Sequence, residues 1–271
     1  MLYCPYQNLL ERKKEMIANF HTHTARCHHA SGTDREYVEA AIRAGVKVLG
    51  FSDHSPYWFP DGYYSTHRMR PDEVEGYVNS VLSLREEYKN DIRIYLGFEA
   101  EYYPLYFDNM LKIIEPYPYE YLILGQHYLK NETSESHIAR LANDYDSLVC
   151  YVNECTEALA TGKFFCFAHP DLVNFKGDPR LYRSEMTRLC KAAKAMNVPL
   201  EINLLGLREG REYPRIDFWQ IAAEIGNDVM LGSDSHSPEV TAREADIRAA
   251  MEIVNGFGLH LIEPVEPKIL K

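Results

Sequence analysis

Along the 271 residues, short apolar runs alternate with longer stretches whose apolar positions recur every three or four residues. The short runs, rich in β-branched and aromatic side chains, read as strands. They cover 16–23 (MIANFHTH), 46–54 (VKVLGFSDH), 92–101 (IRIYLGFEAE), 119–127 (YEYLILGQH), 163–171 (KFFCFAHPD), 198–205 (VPLEINLL) and 227–236 (NDVMLGSDSH). Helical periodicity fills 35–45, 71–89, 136–162, 180–197, 215–226 and 237–258, the third long enough to break in two. Thr33 and Asp34 suit a helix cap, Pro71 a first helical turn, and Gly45, Gly162 and Gly226 helix stops. Strands alternating with helices imply βαβ units and a parallel sheet. About seven such units without a dinucleotide-binding glycine fingerprint favour a closed α/β barrel, with an open doubly wound sheet as the alternative. No repeat, linker or low-complexity segment divides the chain, so one domain is expected. Residues 1–16 read as an N-terminal extension and 257–271 as a C-terminal tail packed on or beside the barrel.

Polar residues fall at telling places in this pattern. His21, His54, Glu99, His127, His169, Asn203 and Asp234 each end a different candidate strand. The C-terminal rim of a (β/α) barrel is its active-site face, so seven polar groups converge on one mouth. His21 and His23 are two apart, which on an extended chain puts both imidazoles on one side. A lone His-x-His says little, but the other strand ends repeat the chemistry in Asp53-His54, Glu99, Glu101, His169 and Asp234-Ser235-His236. Imidazoles and carboxylates without thiolates suit zinc, manganese or iron in a catalytic site. Glu99 is the natural bridge between two ions, having two oxygens to share. Paired ions can polarise a phosphoryl oxygen and generate hydroxide near neutral pH, which phosphate-ester hydrolysis needs.

Composition adjusts this picture in three places. The net charge is −11, so the chain gains no counterion-release affinity for a phosphate backbone, and nucleic acid is not an expected partner. Three bound divalent cations would bring that charge to about −5. Cys4, Cys27, Cys150, Cys155, Cys166 and Cys190 are scattered, as expected of small buried thiols in a reducing compartment. The first sixteen residues lack a secretory apolar core, and no run reaches the ~18 apolar residues of a membrane span, so a cytoplasmic location is expected. No apolar stripe identifies an oligomeric state.

The ordered set HTHTARCHHA, FSDHSP, GFEAEYYP, LGQHYL, AHPDL, EINLLGLR and GSDSH, over about residues 17–245, resembles the polymerase and histidinol phosphatase (PHP) family, specifically its histidinol-phosphate phosphatase branch. The resemblance implies a distorted seven-stranded (β/α)7 TIM-like barrel holding up to three divalent transition-metal ions (Zn, Mn or Fe). Position by position, it places one ion on His21, His23, Glu99 and Asp234, and a second on Glu99, His127 and His169. A third falls on His29, His54 and His236, while His28 matches no ligand position. It further implies hydrolysis of L-histidinol phosphate to L-histidinol and phosphate in histidine biosynthesis. A metal-bridging hydroxide would attack phosphorus in line, with Glu99, Asp234 and His236 in the catalytic constellation. Another small phosphorylated metabolite, such as a sugar or nucleotide phosphate, is the nearest alternative; a nuclease and a non-catalytic metal-holding module stand further off.

On the substrate side the candidates are Arg208 after the sixth strand, Arg68 after the second, and Lys176. Lys176, in Asn174-Phe175-Lys176, stands where the family pattern often carries arginine, and a lysine lacks the bidentate fork. Gly125-Gln126-His127 replaces the more usual Ser-Val-His. Tyr57, Trp58, Phe59, Tyr63 and Tyr64 form an aromatic loop that is either a lid or packing. Asp53 is either the leaving-group acid or a support for a ligand histidine. Glu101 and Glu201 are either ligands for a substrate amino group or supports of the same kind.

Overall fold

The computed structural model describes residues 16–134, 137–140, 144–264 and 266–267; the expected N-terminal extension apart from Met16, Cys4 included, lies outside them. Eight parallel strands follow one another in chain order: β1 (Ala18–Asn19), β2 (Val48–Phe51), β3 (Arg93–Ala100), β4 (Tyr121–Leu124), β5 (Cys166–Phe167), β6 (Leu200–Asn203), β7 (Asp228–Gly232) and β8 (His260–Leu261). The helices are α1 (Asp34–Arg43), α2 (Val74–Glu87), α3 (Phe107–Ile114), α4 (Tyr145–Ala160), α5 (Pro179–Ala195), α6 (Leu204–Glu209), α7 (Ile216–Ile225) and α8 (Glu244–Phe257). This is an α/β fold with a curled parallel sheet, and the seven strands expected from the sequence are all present in shortened form.

The strand count differs from the expected seven by the addition of β8. Its two residues come from the segment read as a tail, where a run so short carries no alternation to detect. The eighth strand changes only the base of the sheet. There it pairs with β7 through Asp228↔His260 and Val229↔Leu261, while Ile17 N–H reaches Glu263 Oε1 at 3.3 Å. At the rim, the chain beyond β1 meets the chain beyond β7 directly. Thr22 bridges Ser235, His23 N–H donates to Ser235 O at 3.1 Å, and Ser235 N–H donates to His21 O at 3.4 Å. The mouth is therefore encircled by seven strand ends.

Inside the sheet, Phe20, Tyr121, Ile123, Phe165, Cys166 and Met230 pack into a floor beneath that mouth. Tyr121 is its keystone, donating its hydroxyl to Phe20 O (3.1 Å) and Phe51 O (2.9 Å). Glycines make room for the ring: a Cβ on Gly50 would lie 2.2 Å from Tyr121 Oη, and one on Gly97 would lie 2.5 Å from the ring. A larger apolar layer, including Leu49, Phe98, Leu124, Phe167 and Ile202, joins the outer face of the sheet to the helices.

Local chemistry sets the helix boundaries. Thr33 caps α1 in a reciprocal capping box with Glu36, and Asp144 caps α4. The helix expected from 136 thus begins only at Tyr145. Ile138–Arg140 is a single 3-10 turn, and residues 141–143 lie outside the described part. The helix expected from 237 starts at Glu244, after a 3-10 turn at Pro238–Val240. The sequence reading did not anticipate α3 or α6. Phe107, Met110, Leu111 and Ile114 carry helical spacing, but over only eight residues between two Tyr/Pro-rich turns. The cap of α6 is Asn203, whose Oδ1 accepts from Gly206 N–H at 2.9 Å. Cys27, Cys155, Cys166 and Cys190 are buried and Cys150 is half-buried, all as free thiols. Among the described residues no helix is long and apolar enough to cross a membrane.

Candidate metal centre

Parallel pairing places the strand ends side by side, so residues distant in sequence meet at the rim. His54 bridges Glu99 across β2 and β3, and Ser52 N–H donates to Thr22 O at 2.9 Å. His21, His23, His54, Glu99, His169 and Asp234 are all buried, while His29, His127 and His236 line the cavity above them. Two of these residues adopt left-handed backbone, His169 at φ +32° and Asp234 at φ +46°. Non-glycine residues seldom accept such angles, and where they do, they cluster at functional sites.

The donor atoms crowd inward. His21 Nε2 lies 3.1 Å from His23 Nε2 and 3.5 Å from both Glu99 Oε2 and Asp234 Oδ1. His23 Nε2 is 3.2 Å from Asp234 Oδ1, and His169 Nε2 is 3.0 Å from Glu99 Oε1. His127 Nε2 is 3.6 Å from that same oxygen, and His236 Nε2 is 2.9 Å from His29 Nε2. Two buried acceptors, His54 Nδ1 and Glu99 Oε2, are 3.1 Å apart yet neither makes a well-formed hydrogen bond. Imidazole nitrogens and carboxylate oxygens converging this closely suit a shared cation, which would displace any ring protons between them. Among the described residues several sets have ligand atoms close enough to hold one, including His21, His23 and Asp234; His21, Glu99 and His169; and His29, His54 and His236.

Behind the imidazoles stands a layer of acceptors. His21 Nδ1 meets Glu201 Oε1 at 2.7 Å, and His127 Nδ1 meets Glu101 Oε1 at 2.9 Å. His29 Nδ1 meets Cys27 O at 2.7 Å, and His23 Nδ1 lies 3.4 Å from Asp53 Oδ1. Each acceptor claims the outer ring nitrogen and leaves the inner one for the centre. Asp53 and Glu201 thus contact the imidazoles from behind: Asp53 also accepts from the Thr24 hydroxyl, and Glu201 from His169 N–H.

The buried carboxylates dominate the local field. Burial would raise the Glu99 carboxyl, but His54, His21 and His127 overcome it and hold the group well below the usual carboxylate range. Burial likewise opposes a charged His23, yet hydrogen bonds to Asp234 and Asp53 lift it to about 9. On the outer side the order reverses: burial, then His23, lowers His236 to about 3. Negative charge is thus concentrated at the Glu99–Asp234 side, and neutral imidazole nitrogens gather at the His29–His54–His236 side. Both are ligand states that divalent transition ions favour.

A cavity of about 640 Å³ opens onto the cluster, walled by Glu99, His127, His169, Tyr213, Arg140 and Arg211 among others. The expected substrate-binding residues fare differently. Arg208 does not line the cavity; its guanidinium turns to Asp246 on α8 at 3.1 Å. Lys176 is outside it too, on the surface 2.8 Å from Glu212 Oε1. Arg68 does line it, but is committed to the carboxylates of Glu101 and Glu132. Of the aromatic loop, Tyr57 and Phe59 are buried against Tyr103, Trp58 and Tyr64 are exposed, and none of the five lines the cavity. His28 points away, 3.5 Å from Glu73. The sequence reading missed His137 and Arg140, which line the wall from the turn after β4. A helical reading of that segment hid them, and His137, thirteen residues beyond β4 and brought back only by its bridge to Tyr128, carried no strand-end signal.

The family profile described as PHP domain matches residues 19–204 of the chain. A protein of Deinococcus radiodurans described as a "probable histidinol-phosphatase" is 30% identical over 253 residues, covering 89% of this chain and 94% of that one. A histidinol-phosphatase of Bacillus subtilis is 29% identical over 134 residues, 46% of this chain and 47% of that one. Among solved structures, a histidinol phosphate phosphatase from Lactococcus lactis, complexed with zinc, L-histidinol and phosphate, shares the fold. Its TM-score is 0.68 at 19% identity, over 91% of this chain and 95% of that one.

Proposed function

The chain belongs to the PHP domain family, and on that premise we propose that it is a metal-dependent phosphomonoesterase hydrolysing L-histidinol phosphate to L-histidinol and phosphate. The observation that carries the reading is the convergence of imidazole and carboxylate lone pairs on Glu99 at the floor of an open cavity. In this reading His21, His23, Glu99 and Asp234 hold one ion, Glu99, His127 and His169 a second, and His29, His54 and His236 a third. Zinc, manganese and iron all suit these donors. Divalent ions there supply Lewis acidity to the phosphoryl oxygens and an activated water.

The remaining chemistry falls to the protein. Glu201 and Glu101 hold the rings of His21 and His127, fixing which nitrogen faces the centre. Asn203 Nδ2 donates to Glu201 Oε2 and Asp234 Oδ2, both at 3.0 Å, tying the support layer to a ligand carboxylate. Arg140 and Arg211 line the cavity wall and are the cations nearest an entering phosphate in place of Arg208 and Lys176, with Arg211 also paired to Glu209 at 2.7 Å. The deciding assay uses chelator-stripped protein, restored with each metal in turn and offered histidinol phosphate beside sugar and nucleotide monophosphates. Metal-dependent phosphate release with histidinol phosphate preferred is the expected result. A preference of about 100-fold for another ester would replace the substrate, and no metal-dependent release would remove the reading.

A further inference from the structure

Arg68 is 3% exposed, and each of its three guanidinium nitrogens has a fixed partner. Its two terminal nitrogens form a fork on Glu101, 2.9 Å to each oxygen; one also donates to Ser55 O at 3.0 Å, and Nε donates to Glu132 Oε2 at 2.7 Å. The guanidinium lies over the Tyr57 ring, 5.2 Å from its centroid, and the Tyr57 hydroxyl donates to Glu101 O at 2.6 Å. Glu101 Oε1 serves two donors at once, Arg68 and His127 Nδ1. Because that carboxylate can only accept, His127 carries its ring proton on Nδ1 and turns the Nε2 lone pair towards Glu99.

A carboxylate held at both oxygens by a planar fork cannot rotate about its Cγ–Cδ bond without breaking two charge-assisted hydrogen bonds. Without the fork, Glu101 would be a buried anion free to swing, and the orientation of the His127 ring would swing with it. Glu132 secures the far side of Arg68, and its carboxylate also accepts from the Ser65 hydroxyl and, at 3.4 Å, from the Tyr63 hydroxyl. The loop after β2 thereby reaches a ligand that sits after β4.

We propose that Arg68 is a positioning residue for the metal centre: its fork on Glu101 sets the tautomer and angle of His127, and so the affinity of the Glu99–His127–His169 site for its ion. The inference rests on reading those three residues as one site, and it reassigns Arg68 from substrate ligand to support.

The test is zinc binding to the stripped full-length protein, by competition with a chromophoric chelator and without substrate. Removing such an outer support typically weakens metal binding about 10–100-fold. Arg68→Met is expected to weaken one zinc equivalent by that amount and leave the others within threefold. Arg68→Lys retains the charge but cannot span both carboxylate oxygens, and is expected to recover part of the loss. Glu132→Gln, which leaves the fork on Glu101 in place, is expected to lower thermal stability while zinc affinity stays within threefold of the parent. A purely structural role predicts a different pattern, with all equivalents weakening together and Glu132→Gln behaving like Arg68→Met. That pattern overturns the proposal, as does wild-type affinity for every equivalent in Arg68→Met. Should Arg68→Met not fold, Arg68→Lys decides alone, since unchanged affinity there also overturns it. With no substrate present, failure here is separable from failure of the phosphatase reading.

Discussion

Gly125 follows β4 directly, beside the central carboxylate, and replacing it with alanine tests whether Glu99 must stay where it is. A Cβ at this position would stand 1.9 Å from Glu99 Oε1, 2.5 Å from Cδ and 2.7 Å from Cγ. Ordinary contact begins at 3.4 Å, so the carboxylate must withdraw by about 1.5 Å. It has little room, with His21, His54, His127 and His169 around it. A misplacement near 1 Å can cost about 10²-fold in rate, and overpacking of this kind costs about 1–3 kcal/mol of stability. Gly125→Ala is therefore expected to fold with a modestly lowered Tm, to lose bound metal, and to lose about two orders of magnitude in kcat. Steady-state phosphate release, metal analysis and a thermal melt on one preparation would measure all three. If kcat stays within threefold of the parent with full metal content, Glu99 is not the bridging group and the central assignment fails.

Metal removal is expected to lower Tm, with zinc restoring about 2.7 kcal/mol once its free concentration is a hundred times Kd; an unchanged calorimetric melt on chelation contradicts this. Gly76 and Gly256 lie in α2 and α8 with nothing within 4 Å of an added Cβ, so alanine at either should stabilise by roughly 0.4–1 kcal/mol, read from the denaturation midpoint, with activity unchanged. Tyr121→Phe removes the one hydroxyl donor shared by two buried carbonyls and should cost about 1–3 kcal/mol in urea unfolding. Burial raises the Glu154 carboxyl, although Lys130 N–H and Gln126 Nε2 favour its charged form. Because the folded value lies above the unfolded one, its contribution to stability is full below the ordinary carboxyl range and is lost as pH rises through the folded value. Glu154→Gln should therefore gain Tm relative to the parent between pH 4 and 7; a gap that stays constant or shrinks contradicts the assignment.

The clustering of the rim residues was legible because a parallel sheet aligns every strand end on one face, so a histidine or acid closing a strand needs no knowledge of tertiary contacts to be placed there. Where cations point was not legible. Arg208 follows β6 closely, yet α6 begins at once, and its last turn carries the guanidinium to Asp246 on α8. That outcome depends on a helix of six residues whose cap, Asn203, looks in sequence like another rim ligand. The contacts of Arg68 were hidden for a related reason: a cation near a candidate phosphate site reads as a phosphate ligand unless the carboxylates that claim it are visible. Glu132, the second of these, lies in a polar segment with no periodicity. The short β8 escaped because two residues cannot display a period.

One rule of strand geometry accounts for both layers of the centre. On an extended chain, residues two apart share a face, and three such pairs point into the mouth: His21 with His23, Glu99 with Glu101, and Glu201 with Asn203. The pairs divide their labour by depth. Both histidines of the first reach the central carboxylates. In the second, Glu99 meets the imidazoles directly while Glu101, nearer the rim, turns to hold His127 and accept Arg68. In the third, Glu201 backs His21, and Asn203 joins Glu201 to Asp234. A carboxylate facing the centre and one two residues away are thus not interchangeable, although the sequence writes both as Glu. The acids behind this cluster, Asp53, Glu101 and Glu201, are engaged by ring nitrogens and by Arg68, so divalent cations at the proposed site would set the field that meets an anionic ester.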